Sequence, residues 1–177
     1  MKKQHIKFLP LALFYVALFF NVVAYSKENL IIKKIMPNGE TNISENYGNI
    51  EVFVTVTTRE KDIGKTLHTR SDKKLNSCTY SRAPCSLVDS IEISINNIPI
   101  FVARSVYSDL SDLNMVELSQ IKKEEFILKL HGGDASESYR VDILFNLDGV
   151  KKRSFIDKTN NITLQETTYL LPLPSIE

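Results

Sequence analysis

The sequence predicts an all-β domain, an antiparallel sandwich or half-open barrel of about eight strands with one short helix near residues 105–113. Three observations carry the prediction. Residues 49–58 alternate apolar and polar side chains at a period of two. Two-residue turn signals, Asn96-Asn97 and Asp148-Gly149, each sit between alternating runs. Through the second half of the chain turn signals recur every 8 to 12 residues, a spacing that suits strand–turn–strand better than strands alternating with helices.

The chain has 177 residues, which suits one domain. Residues 1–26 have the form of a cleaved signal peptide. Lys2, Lys3 and Lys7 supply a positive start, Phe8 to Ala24 is almost wholly apolar, and Ala24-Tyr25-Ser26 places small residues where a signal peptidase reads them. An uncleaved anchor is the alternative, because the apolar run is about long enough to span a bilayer. Residues 27–177 are then a single β-rich domain with no membrane span after cleavage. That part holds 19 Lys and Arg against 21 Asp and Glu, a balance that argues against a nucleic-acid binder.

Both cysteines, Cys78 and Cys85, fall in the exported part, so one local disulfide is expected. The closed loop has eight residues counted inclusively, worth roughly 2.5 kcal/mol in the chain-entropy model. A tie of that size shapes a loop more than it holds a fold. Beside the cysteines the exported part has only His68 and His131, too few ligands for a zinc site, and no cofactor is expected.

Taken in order, Leu30 to Met36 is a short apolar run that Pro37-Asn38-Gly39 ends with turn chemistry. Asn42-Ile43-Ser44 and Asn161-Ile162-Thr163 fit the glycosylation pattern but are read as coincidence. In the strand at residues 49–58, Ile50, Val52, Val54 and Val56 share one face. Residues 59–86 form a long basic loop with little periodicity, containing Lys61, Lys65, Arg70, Lys73 and Lys74 and then the cysteine pair. Loops of this length in a compact domain are functional more often than short ones. Ile91 to Val102 is a hairpin about Asn96-Asn97, pairing Ile95 with Ile98, Ile93 with Ile100 and Ile91 with Val102. Pro99 marks an edge or a bulge, since it lacks a donor. Val106, Leu110 and Leu113 have helical spacing and Ser105 can cap a first turn, which gives the short helix. Arg104 is placed to pair with an acid there and tie the turn to the sheet, with Tyr107, Asp109 and Asp112 around it.

Met115 to Ile121 reads as a weak strand. Glu124 to Leu130 pairs with Tyr139 to Asn146, with Phe126, Leu128 and Leu130 matching Tyr139, Val141, Ile143 and Phe145. A turn centred on Asp148-Gly149 would set Arg140 opposite Asp157. Lys151, Lys152 and Arg153 then read as an edge guarded by charge, and Ile162 to Leu171 as a final strand stopped by Pro172.

Two stretches carry a resemblance. Asn97 to Leu110, together with Gly132-Gly133-Asp134-Ala135-Ser136-Glu137-Ser138-Tyr139, the Asp148-Gly149 turn and Lys152-Arg153, resembles a group of small exported bacterial proteins of uncharacterised role. The resemblance covers residues 91–155 and leaves out the basic loop. It implies a bacterial envelope setting and supplies no activity.

Three functional readings follow. The leading one is a non-catalytic binding protein of the bacterial periplasm, of inhibitor or immunity type. It would grip another protein through the disulfide-tied basic loop, with Lys73, Lys74, Tyr80 and Arg82 as contact residues; Tyr and Arg are enriched at binding hot spots. The second is a small-molecule or ion-binding envelope protein that uses the 131–138 loop, where Gly132 and Gly133 free backbone donors and Asp134, Ser136 and Glu137 add polar groups beside His131. Its spacing does not match an EF-hand. The third is a hydrolase centred on His131 and Ser136. It lacks a Gly-x-Ser-x-Gly elbow, and a serine nucleophile needs a base held by a third group. Against the second and third stands a structural use of the glycines, for positive φ in a turn, and against the first a reading of the basic loop as a solvated insertion of no consequence.

Overall fold

The computed structural model describes residues 30–62, 78–79 and 84–170. These residues form two antiparallel sheets packed as a sandwich, so the barrel alternative falls away. The strands are β1 (Ile31–Lys34), β2 (Gly39–Tyr47), β3 (Ile50–Lys61), β4 (Cys85–Ile95), β5 (Ile98–Ile100), β6 (Leu113–Lys122), β7 (Glu125–Gly132), β8 (Tyr139–Asn146), β9 (Gly149–Asp157) and β10 (Ile162–Thr168). The large sheet runs β1-β6-β7-β8-β9-β10 and the small one β2-β3-β4-β5. Single 3₁₀ turns occupy Arg104–Val106 and Ala135–Glu137.

The core is where the alternating runs put it. Val52, Val54 and Val56 pair with Ile95, Ile93 and Ile91, and all six are buried. Across the sandwich, Phe126, Leu128 and Leu130 pair with Phe145, Ile143 and Val141, also buried. Tyr47 and Phe126 close the interface with ring centroids 5.4 Å apart. Each of these apolar side chains contributes about 1.5–3 kcal/mol by leaving water. A bulge at Thr57/Thr58 then turns Thr58 inward, where its hydroxyl donates to the carbonyls of Met36 and Gly39 and fixes the β1–β2 turn. At the hairpin tip Asn96 and Asn97 adopt φ of +50° and +63°, as a type I′ turn requires.

Several expectations need correction. There are ten strands among the described residues: β2 was not foreseen, although Thr41, Ile43 and Tyr47 on one face are buried. β3 and β4 reach further than expected, pairing Arg59, Glu60 and Lys61 with Leu87, Ser86 and Cys85, which shortens the basic loop at both ends. β5 stops at Ile100, so Ile91 does not pair with Val102. Pro99 does sit opposite Ser94 on the sheet edge.

The helix at 105–113 is a single 3₁₀ turn followed by irregular chain. Ser105 caps nothing. The Val106 carbonyl accepts from Arg153 rather than from a following helical turn, and Asp112 enters the left-handed region at φ +50°. In the last hairpin Asn146 pairs with Gly149, and a bulge follows at Leu144/Phe145. Together they slide the register by one, so Arg140 faces Ile156 and bonds Asp142 on its own strand instead of Asp157. β9 is not a guarded edge, because β10 lies beyond it; Arg153 points inward and is 2% exposed.

Candidate functional site

One end of the sandwich gathers the polar groups that the core excludes. The chain crosses from β5 in the small sheet to β6 in the large one through residues 101–112, and this crossover is fastened at three points. Arg153, on the inner face of β9, donates Nε to the Val106 carbonyl at 2.9 Å and Nη2 to both Asp109 oxygens at 2.8 and 2.7 Å. Tyr139, opening β8, donates its hydroxyl to the Ser111 carbonyl and accepts the Ser111 N–H at 3.1 Å. Burial holds the Tyr139 phenol well above its ordinary pKa, so it remains a donor. Its ring stacks on Phe155 with centroids 4.9 Å apart.

The third fastening is Asp112. Its side chain is fully buried, and its carboxylate accepts the N–H of Thr79 at 2.7 Å and of Ser86 at 2.9 Å. Its own N–H donates to the Ser86 carbonyl, and its carbonyl accepts from Gly133. Cys78 and Cys85, one residue before Thr79 and Ser86, are joined as a disulfide with Cα atoms 5.7 Å apart. The Ser86 hydroxyl donates to the Pro37 carbonyl at 2.6 Å. The disulfide, the start of β4, the β1–β2 turn and the crossover therefore form one hydrogen-bonded block.

The glycines of the 131–138 loop serve this block. A Cβ on Gly132 would lie 2.3 Å from the Tyr139 ring, and one on Gly133, at φ +68°, 2.1 Å from the Glu137 carbonyl oxygen. The loop's backbone donors turn inward: Gly133 N–H goes to Asp112, Glu137 N–H to Asp134 and Ser138 N–H to Ala135. Asp134, Ser136 and Glu137 are exposed. His131 belongs to β7, on the outer face of the large sheet and opposite Arg140. It is 7% exposed, and Nε2 lies 2.9 Å from Glu117 Oε1. That separation is an ion-pair distance, but the approach is off-axis and neither ring nitrogen gains an aligned hydrogen bond. Burial pushes the His131 pKa down, Glu117 pulls it up, and Lys158 and Arg140 push it down further, with the net shift downward. Among the described residues His131 meets Glu117 and not Ser136, whose carbonyl accepts from the Thr159 hydroxyl.

Of the residues singled out from sequence, Cys78 and Cys85 are joined, and His131 is separated in its contacts from Ser136. Lys73, Lys74, Tyr80 and Arg82, like residues 1–26, lie outside the described residues. Arg104 is exposed and does not tie the crossover; Arg153 does. The crossover and the large sheet meet here, Val106 and Asp109 on Arg153, and Ser111 on Tyr139. The sequence marks Asp112 only as an acid near a turn. Its central place was not signalled, because its partners are main-chain amides. Among the described residues no group of three or more His, Cys, Asp or Glu could hold a metal ion, and no helix is long and apolar enough to cross a membrane. No protein-family model, no curated protein and no solved structure matches the chain.

Proposed function

We propose that this chain is an exported, non-catalytic binding protein of the bacterial periplasm. In that role it grips another protein, as an inhibitor or immunity protein does, through the basic segment between Lys61 and Cys85. The observation that supports this most is the anchoring of the disulfide: Thr79 and Ser86, which follow the two cysteines, both donate to the buried Asp112 carboxylate. A segment rooted in a rigid block loses less freedom on binding than a free one, so more of its contact energy appears as affinity. Tyr80 and Arg82 lie between the two cysteines and are of the residue types that dominate binding hot spots. Lys73 and Lys74 supply positive charge that speeds encounter with an acidic partner. The ligand-loop alternative has less support, because the Gly133 N–H is taken up by the Asp112 carbonyl. The hydrolase alternative has less again, because His131 engages a carboxylate on a neighbouring strand.

The test is affinity capture from periplasmic extract with the domain from Lys27 onward as bait, beside a Tyr80→Ala/Arg82→Ala variant. One dominant protein, bound by the parent, lost by the variant and reproduced by titration of the purified pair, is the expected result. Equal capture by both baits would remove the segment from the binding surface.

A further inference from the structure

Asp112 and the disulfide connect the same two pieces of chain independently. The Asp112 Oδ2 accepts the N–H of Thr79, next to Cys78, and Oδ1 accepts the N–H of Ser86, next to Cys85. Hydrogen bonds to an ionised acceptor are of the stronger kind. The sulfurs are also withdrawn from solvent: Cys85 is 0% and Cys78 8% exposed. Thiol–disulfide exchange needs a thiolate to attack one sulfur with the other as leaving group. A buried disulfide therefore exchanges only after a local opening, and opening this one breaks the bonds to Asp112. A carboxylate nearby also disfavours the thiolate that must leave.

We propose that Asp112 is the latch of a redox-protected tie. It keeps the Cys78–Cys85 bond closed to external thiols, and it holds the two cysteines close together when the bond is cut, so that reoxidation within the chain is favoured. This inference goes beyond the binding role and does not depend on what the segment binds. The step concerned is a two-electron exchange with a dithiol. One reagent thiolate bonds to a protein sulfur and expels the other cysteine. The second reagent thiolate then closes the reagent into its cyclic disulfide, and both cysteines leave as thiols after taking up protons.

The experiment uses the folded domain from Lys27 onward and dithiothreitol, without denaturant. Reduction of the parent is expected to be slow, and Asp112→Asn to accelerate it tenfold or more, since the amide opposes one of the two N–H donors. The equilibrium with the reagent should move at least tenfold toward free thiols, equivalent to about 30 mV. Rates and equilibria within twofold of the parent would overturn the proposal. A second measurement keeps Asp112 in place and decides the matter even if Asp112→Asn fails to fold. In Cys78→Ala/Cys85→Ala, hydrogen exchange at the Thr79 and Ser86 amides should stay within tenfold of the parent. Exchange at the rate of an open peptide would show that the covalent bond alone holds the segments, and the latch would be wrong.

Discussion

Removing Asp109 isolates a charge that the fold has buried. The Arg153 side chain is 2% exposed, whereas that of Asp109 is 51% exposed. The acid therefore reaches out of the solvent layer to neutralise a guanidinium inside the protein. In Asp109→Ala, Arg153 keeps the Val106 carbonyl and a long 3.3 Å contact to Gln165, and loses its ion-pair partner among the described residues and two short hydrogen bonds. Breaking a fully buried pair costs about 3–5 kcal/mol. Water can enter on the acid's side, so about 2–3 kcal/mol is expected here. For a domain of this size that is a fall of roughly 4–12 °C in Tm. Asp109→Asn, which keeps an acceptor without the charge, should fall about halfway between. Urea unfolding of the oxidised domain measures both, provided that the slope with denaturant is unchanged. A loss below about 0.5 kcal/mol in Asp109→Ala would mean that the crossover is held without this clamp.

Other perturbations test the remaining contacts. Gly132→Ala drives a methyl into the Tyr139 ring at 2.3 Å and should cost about 2–3 kcal/mol, much of it recovered when Tyr139 is shortened to Leu in the same chain. Tyr139→Phe removes the hydroxyl that serves both the carbonyl and the N–H of Ser111, and thermal melts should show a loss of about 1–3 kcal/mol. Because the folded His131 pKa lies below its ordinary value, the unfolded chain takes up a proton first as pH falls. Stability is thus fully present above about pH 6.5 and declines below it, by at most about 1.4 kcal/mol per pH unit for this one site. Unfolding followed from pH 7.5 to 5 should show a shallower decline in His131→Gln. Asn97→Gly, at φ +63°, should raise stability by a few tenths of a kcal/mol or more, and Asn97→Val should lower it by about 1–2 kcal/mol.

How much of this was visible in the chain depends on who a residue's partner is. The inward sets of β3 and β7 follow from alternation alone, since Val52, Val54, Val56, Phe126, Leu128 and Leu130 have one place to go. The tip at Asn96-Asn97 follows from its residues. β2 was hidden because its inward positions, Thr41, Ile43, Glu45 and Tyr47, mix polar and apolar side chains. Bulges advertise themselves poorly, and the one at Leu144/Phe145 was enough to move Arg140 off Asp157. Arg153 looked like a surface guard because a charged residue in a strand normally faces water. Its true partner lies 44 residues away in sequence, and only the sandwich brings the two together. At the disulfide end the cysteines were legible and Asp112 was not, because a carboxylate that binds backbone amides leaves no matching side chain to find.

The crossover between the sheets also has a bearing on the order in which the chain can fold. From β6 to β10 each strand pairs with the next in sequence, so the large sheet can grow by local hairpins. The crossover cannot settle by itself, because Arg153 stands 47 residues after Val106. Contacts of such sequence separation close loops at an entropic cost that local hairpins avoid, and they slow folding. Until β9 is formed, Val106 and Asp109 lack their clamp, and the inner faces beside them are open to wrong partners. A chain synthesised or exported from its N-terminus thus carries the crossover some distance ahead of the arginine that clamps it. Of the three fastenings of the crossover, the one that Arg153 supplies is the last that the growing chain makes available.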